Sequence, residues 1–168
     1  MEILLVIDQL QKYGRGILST DLREEFSLHS TSLMEIYNHG YRDGREGALK
    51  IHDILSSRDG KKEIWSAVPD IILNNLVIDY ISKSVENREE DYLVIDGYPI
   101  TESQAKILDE GLEERGLEIK EVIHNFVVLE DEEFDPHYTA INYYDEMIES
   151  SKGNLDDVLS QLEARGLK

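Results

Sequence analysis

The chain contains no cysteine, so it can build neither a disulfide framework nor a thiolate metal site, in keeping with a reducing compartment. Cations are scarce. Lys and Arg number 17 against 36 Asp and Glu, a formal charge of −19 over 168 residues. Such a field opposes phosphate backbones and anionic membranes, both of which need a basic face, so neither nucleic acid nor membrane is expected as a partner. Long apolar runs are missing too, none approaching the roughly 20 residues that span a bilayer. The opening MEILLVIDQLQKYG sets acidic residues on both sides of a short apolar run, unlike the basic start and longer apolar stretch of a secretory signal. A cytoplasmic protein is the expectation. With only three prolines and no repeat or low-complexity tract, no domain boundary stands out, and residues 1–168 read as one domain with room for a ligand cleft.

What is present alternates. EILLVI (2–7) suits a buried parallel strand, followed by the polar, glycine-containing DQLQKYGRG and the helix-like ILSTDLREEF. A second short strand fits within 26–37, with Ser30, Thr31 or Ser32 capping a helix from near Leu33. An amphipathic helix is expected around 46–57, and another over 69–85, where Pro69 suits the first turn and Ile72, Leu76, Val77, Tyr80 and Ile81 share a face. YLVID (92–96) and EVIHNFVVL (121–129) read as strands. Between them Thr101 and Gln104 have the spacing of a capping box, opening a helix that runs to about Arg115 and stops at Gly116. Two further helices are expected near 137–150 and 154–165. Strands alternating with helices predict an α/β fold, a parallel sheet flanked by helices on both faces.

Positive charge collects only in YRDGREGALKIHDILSSRDGKK (41–62), where Arg42, Arg45, Lys50, Arg58, Lys61 and Lys62 outnumber the acids. A solvated helix face explains this pattern as well as a binding surface does. Elsewhere the acidic surface, strongest after residue 86, could meet a basic protein partner or serve solubility.

LVIDGYPITESQAKILDE resembles the adenylate kinase pattern in which an apolar strand ends in Asp-Gly-Phe-Pro-Arg-Thr and a Gln follows three residues later. Asp96, Gly97, Pro99, Thr101 and Gln104 match, and Tyr98 stands for the Phe. EEFSLHSTSLMEIY looks like the same family's Ser-Thr-Gly-Asp segment, keeping Ser30 and Thr31. SAVPDIILNNLVIDYI resembles its Val-Pro-Asp helix, and the likeness is nearly continuous to about residue 129. The resemblance implies a P-loop kinase fold, ATP and AMP as nucleotides, and magnesium with ATP if the enzyme is active. That chemistry is positioning and charge neutralisation, so it needs a cradle of N–H groups, a lysine, a bound metal and several arginines.

Those parts are depleted. YGRGI lies over the Gly-x-x-x-x-Gly-Lys-Ser/Thr motif, so Gly14 and Gly16 remain while Arg15 replaces the lysine and Ile17 the hydroxyl residue. A planar guanidinium is a poor substitute for a point charge under a loop. Ile36 and Ile100 stand where the family carries phosphate-binding arginines, and EDEEFDP stands where it carries lid arginines, so the lid segment reads as absent. Arg42, Arg45 or Arg58 could compensate from the basic segment. By the resemblance Gln104 would contact a base and Asp96 would act near magnesium; a capping box and a strand-end turn account for the same two residues without a ligand.

Other chemistries find no support. His29, His39, His52, His124 and His137 lack ligand spacing, and no Gly-x-Ser-x-Gly elbow appears. Two functional expectations follow. One is a degenerate adenylate kinase-like protein, impaired in catalysis, that keeps weak nucleotide affinity or an interaction role. The other is an active, divergent nucleoside monophosphate kinase.

Overall fold

A computed structural model describes residues 1–8, 29–57, 65–87, 92–126, 139–144, 148–152, 160 and 163–164. Among these residues five strands form one parallel sheet: β1 (Glu2–Asp8), β2 (His29–Ser32), β3 (Tyr92–Asp96), β4 (Ile119–Phe126) and β5 (Ile148–Lys152), in the order β2-β3-β1-β4-β5. The strand at the centre is the first in the chain, and its residues Ile3 to Ile7 are all buried. A strand hidden on both faces can afford no alternation of polar residues, which is why EILLVI is a continuous apolar run.

The helices are α1 (Leu33–Arg42), α2 (Glu46–Ser56), α3 (Asp70–Asn87), α4 (Glu102–Glu113) and the single turn α5 (Ala140–Tyr143), with a short 3-10 turn at Trp65–Ala67. On one sheet face Ile3, Leu5, Ile7, Leu93, Ile95 and Val122 join Leu73, Val77, Ile81, Leu108 and Leu112 in the main core. Fully burying such a side chain stabilises the fold by roughly 1.5–3 kcal/mol each. The opposite face is equally dry, since Leu4, Val6, Val94 and Ile123 are buried outside that cluster. Along α3 the buried stripe is wider than the expected face: Leu73 and Ile78 are buried as well, and Ile72 only half so. The helix packs on α1 and α2 on one side and on α4 on another, so a single narrow stripe does not suffice.

Two close approaches shape this layer. At Gly40 a Cβ would lie 3.0 Å from both the Ala48 Cβ and the Leu76 Cδ1, so α1 comes within reach of α2 and α3 only because the side chain is absent. Gly116, at φ 68°, ends α4 as its neighbourhood predicts, and Leu117 returns its N–H to the Leu112 carbonyl at 3.0 Å.

The tail corrects one expectation. Instead of a helix running through 137–150, the described residues there are helical at Ala140–Tyr143, and Ile148–Lys152 pairs with β4 as a strand. Glu, Ser and Lys have little intrinsic preference for strands, and pairing with the exposed edge of β4 overrides it. The glycine loop with Gly14, Arg15 and Gly16, the helix expected over 17–26, Arg58, the lid region after 126 and nearly all of the helix expected at 154–165 lie outside the described residues.

Candidate functional site

The carboxyl ends of β1, β2 and β3 meet at one edge of the sheet, where Asp96 pairs in register with Val6 on one side and Ser32 on the other. In open α/β sheets ligands gather outside this edge. Asp96 is fully buried there and already engaged. Immediately after it, Gly97 takes φ 75° and donates its N–H to the Val6 carbonyl at 2.8 Å, a left-handed turn that only glycine enters without cost.

Among the described residues two helices begin at this edge, each with a reciprocal cap. For α1, the Ser32 hydroxyl accepts from the Glu35 N–H at 3.3 Å and a Glu35 carboxylate oxygen accepts from the Ser32 N–H at 3.0 Å. For α4, the Thr101 hydroxyl accepts from the Gln104 N–H at 3.1 Å, and Gln104 Oε1 accepts from the N–H groups of Ile100 and Thr101 at 3.0 and 3.3 Å. Gln104 has a further partner: its Nε2 donates to Asp70 Oδ1 at 2.9 Å, and the residue is only 4% exposed. Both ends of its amide are therefore in use. Asp70, which the sequence reading did not single out, sits in the Val-Pro-Asp segment that the resemblance had already marked.

Beside β2 lies an open cleft of about 740 Å³, lined by residues that include His29, Thr31, Glu35, His39, Arg42 and Tyr80. His29 Nε2 and the Tyr80 hydroxyl are 2.7 Å apart, and their rings stack. Arg42 is exposed, its Nε donating to the Asn38 carbonyl at 3.4 Å, which leaves most of its guanidinium facing solvent and cleft. A hydroxyl, a guanidinium and an imidazole among the lining groups suit an oxyanion, and the Glu35 carboxylate counts against it.

Of the residues singled out by sequence, the structure brings Thr31 and Arg42 to this cleft, while Asp96 and Gln104 are buried and do not line it. Arg45 belongs elsewhere: it bridges Asp43 at 3.2 Å and lines a second cleft between α2, α3 and α4. The two positions where the family pattern has arginine are apolar packing sites, since Ile36 is fully buried in the main core and Ile100 packs against it, half buried. No sequence signal indicated His29 and Tyr80, which come together from 51 positions apart.

Aromatic groups brace the outer side of α1. The Tyr37 hydroxyl lies 3.1 Å from His52 Nδ1, Ser56 Oγ lies 3.3 Å from His52 Nε2, and the Tyr37 ring meets Trp65 edge-on. Burial, assisted by the neighbouring Tyr41, pushes the Tyr37 hydroxyl above its ordinary pKa, so it acts as a neutral partner of the imidazole. Among the described residues no group of three or more His, Asp or Glu is gathered as a metal-ligand set. No described helix is long and apolar enough to cross a membrane.

No family model matches the chain. Among curated proteins it is similar to the adenylate kinase of Pseudothermotoga lettingae, 34% identical over 100 residues, which are 60% of this chain and 42% of that protein. The adenylate kinase of Thermosipho melanesiensis is 31% identical over 118 residues, 70% of this chain and 50% of its own length. That of Finegoldia magna is 31% identical over 111 residues, 66% and 47%. The chain thus spans about half the length of the curated relatives it matches.

Proposed function

We infer, from the premise that this chain is an adenylate kinase-like family member, that it is a degenerate, single-domain form in which phosphoryl transfer is impaired. Weak nucleotide binding, or contact with a basic protein through the acidic surface, is what remains. The observation that carries this reading is the state of the acceptor edge. Ile36 and Ile100 serve as packing residues where charge-assisted phosphate contacts would be needed, and the Gln104 amide is spent on a helix cap and on Asp70. Oε1 already accepts two bonds and one Nε2 hydrogen is held by Asp70, so a single N–H, on a side chain only 4% exposed, is all that Gln104 could still offer a base.

One observation favours the second reading, an active divergent nucleoside monophosphate kinase using ATP with magnesium and AMP or a related monophosphate. Thr31 and Arg42 share a cleft of about 740 Å³, so a cation is within reach of the strand end. Calorimetric titration with ATP, AMP and a bisubstrate dinucleotide separates the readings. Weak binding of a single nucleotide, without the added affinity of the bisubstrate ligand, is the result expected of the degenerate form. A bisubstrate ligand bound far more tightly than either nucleotide would mean that two intact sites face each other, and the degenerate reading would fail.

A further inference from the structure

The second cleft, of about 590 Å³, lies between α2, α3 and α4 and differs in character from the rest of the surface. In a chain of net charge −19 it gathers Arg45, Lys50, Lys83 and Arg115 against Glu46 and Asp79. Both carboxylates are matched: Glu46 by Lys50 at 2.6 Å, Asp79 by Arg115 at 3.8 Å. Two cations are left over. Among the described residues Lys83 makes no ion pair, Arg45 shares its Nη2 with Asp43, and the buried Arg45 Nη1 has no hydrogen-bond partner. A buried guanidinium N–H without an acceptor costs free energy that an anion would recover. The start of α2 adds to this, because Arg45 as its N-cap offers no side-chain hydrogen bond and Gly47 of the first turn lines the same cleft. Ile72 and Leu76 supply an apolar wall.

We propose that this cleft is a binding site for an organic phosphate, separate from the Thr31 and Arg42 cleft, with Arg45 and Lys83 holding the phosphate and Ile72 and Leu76 receiving the organic part. The site does not depend on the kinase-like reading: Ile72, Leu76 and Asp79 lie on the helix that shares the family resemblance, but none of the lining residues stands at a position where the family carries a phosphate-binding arginine. Its volume exceeds that of a free phosphate. Its charges are partly exposed, so binding weakens as salt is added.

The test is titration of the isotopically labelled full chain with phenyl phosphate, followed through backbone amide shifts, with inorganic phosphate as a second arm. Saturable shifts centred on Gly47, Leu76, Lys83 and Arg115 are expected, with Arg45→Gln and Lys83→Gln each weakening binding roughly tenfold and Lys106→Gln, on an exposed side chain that lines neither cleft, leaving it unchanged. Tighter binding of phenyl phosphate than of inorganic phosphate assigns the organic part to the apolar wall; equal binding reduces the ligand to the phosphate itself and overturns that half of the proposal. Absence of a saturable shift, shifts centred on Thr31 and Arg42, or indifference to both substitutions overturns the site altogether. Should Arg45→Gln disturb folding, Lys83→Gln, on an exposed side chain, decides alone.

Discussion

The starts of α1 and α4 are built alike and end differently. Each follows a parallel strand, each is closed by a reciprocal cap, and the two helices leave the same sheet edge. Yet the α1 cap residue Glu35 opens onto a cleft, whereas the α4 cap residue Gln104 is sealed between its own turn and Asp70. On the Gln104 side a hydrogen bond reaches in from Asp70 of the Val-Pro-Asp segment, and the side chain becomes part of the interior. One local motif therefore serves either as a wall of a site or as a plug, according to what packs over it.

The strongest way to break this comparison is to restore charge on each side of it. Ile36→Arg places a guanidinium in a fully buried site on α1 and is expected to cost on the order of 4 kcal/mol in chemical denaturation. Ile100→Arg, half buried before α4, is expected to cost only about 1 kcal/mol, because a long side chain there can reach water. Equal tolerance at both positions would mean that Ile36 is not the core residue described.

Next in size are the caps themselves. Gln104→Ala removes hydrogen bonds to two backbone N–H groups and strips Asp70 of its partner, a loss of about 2 kcal/mol; Glu35→Ala removes an exposed-side cap worth about 1 kcal/mol. Equal losses in thermal unfolding would show that the bond to Asp70 adds nothing.

The sealed region makes a sharper prediction at Tyr98, whose ring is fully buried and whose hydroxyl has no hydrogen-bond partner among the described residues. Tyr98→Phe is expected to stabilise the fold by about 1 kcal/mol at neutral pH. Burial, reinforced by Asp70, holds the Tyr98 hydroxyl well above the ordinary tyrosine pKa of 10.0, and burial does the same for Tyr144 beside Asp109. Above that value the unfolded chain releases protons that the native state retains, so stability falls as pH rises. Each such tyrosine contributes a slope of up to about 1.4 kcal/mol per pH unit. Tyr98→Phe should make the alkaline decline shallower, and an unchanged slope would contradict the burial of this hydroxyl.

The smallest effect belongs to the open cleft. Arg42→Ala is expected to weaken AMP binding by roughly tenfold at most, as befits an exposed cation screened by salt. If calorimetry finds no change, the residual nucleotide site is not in this cleft.

Local patterns were legible in the chain and distant ones were not. Thr101 with Gln104 announces its cap because both partners lie within one turn, and β1 announces itself because burial on both faces leaves a continuous apolar run. The same logic located the helix that Ser32 caps. By contrast, β5 exists through pairing with β4, and nothing within Ile148–Lys152 marks it as a strand. Arg42 and Arg45 looked like one basic cluster, but Gly44, at φ 69°, turns the chain between α1 and α2 and sends them to separate clefts. The role of Asp70 was hidden for the same reason: its partner Gln104 lies 34 positions away.

The central claim is that a kinase-like scaffold here lacks the acceptor contacts that catalysis needs. Formation of ADP from ATP and AMP in the presence of magnesium tests it most directly, followed by a coupled assay on the full chain. The account predicts no ADP above the rate seen without protein, at any AMP concentration. Saturable, AMP-dependent ADP formation abolished by Arg42→Ala would contradict it and assign the activity to the open cleft.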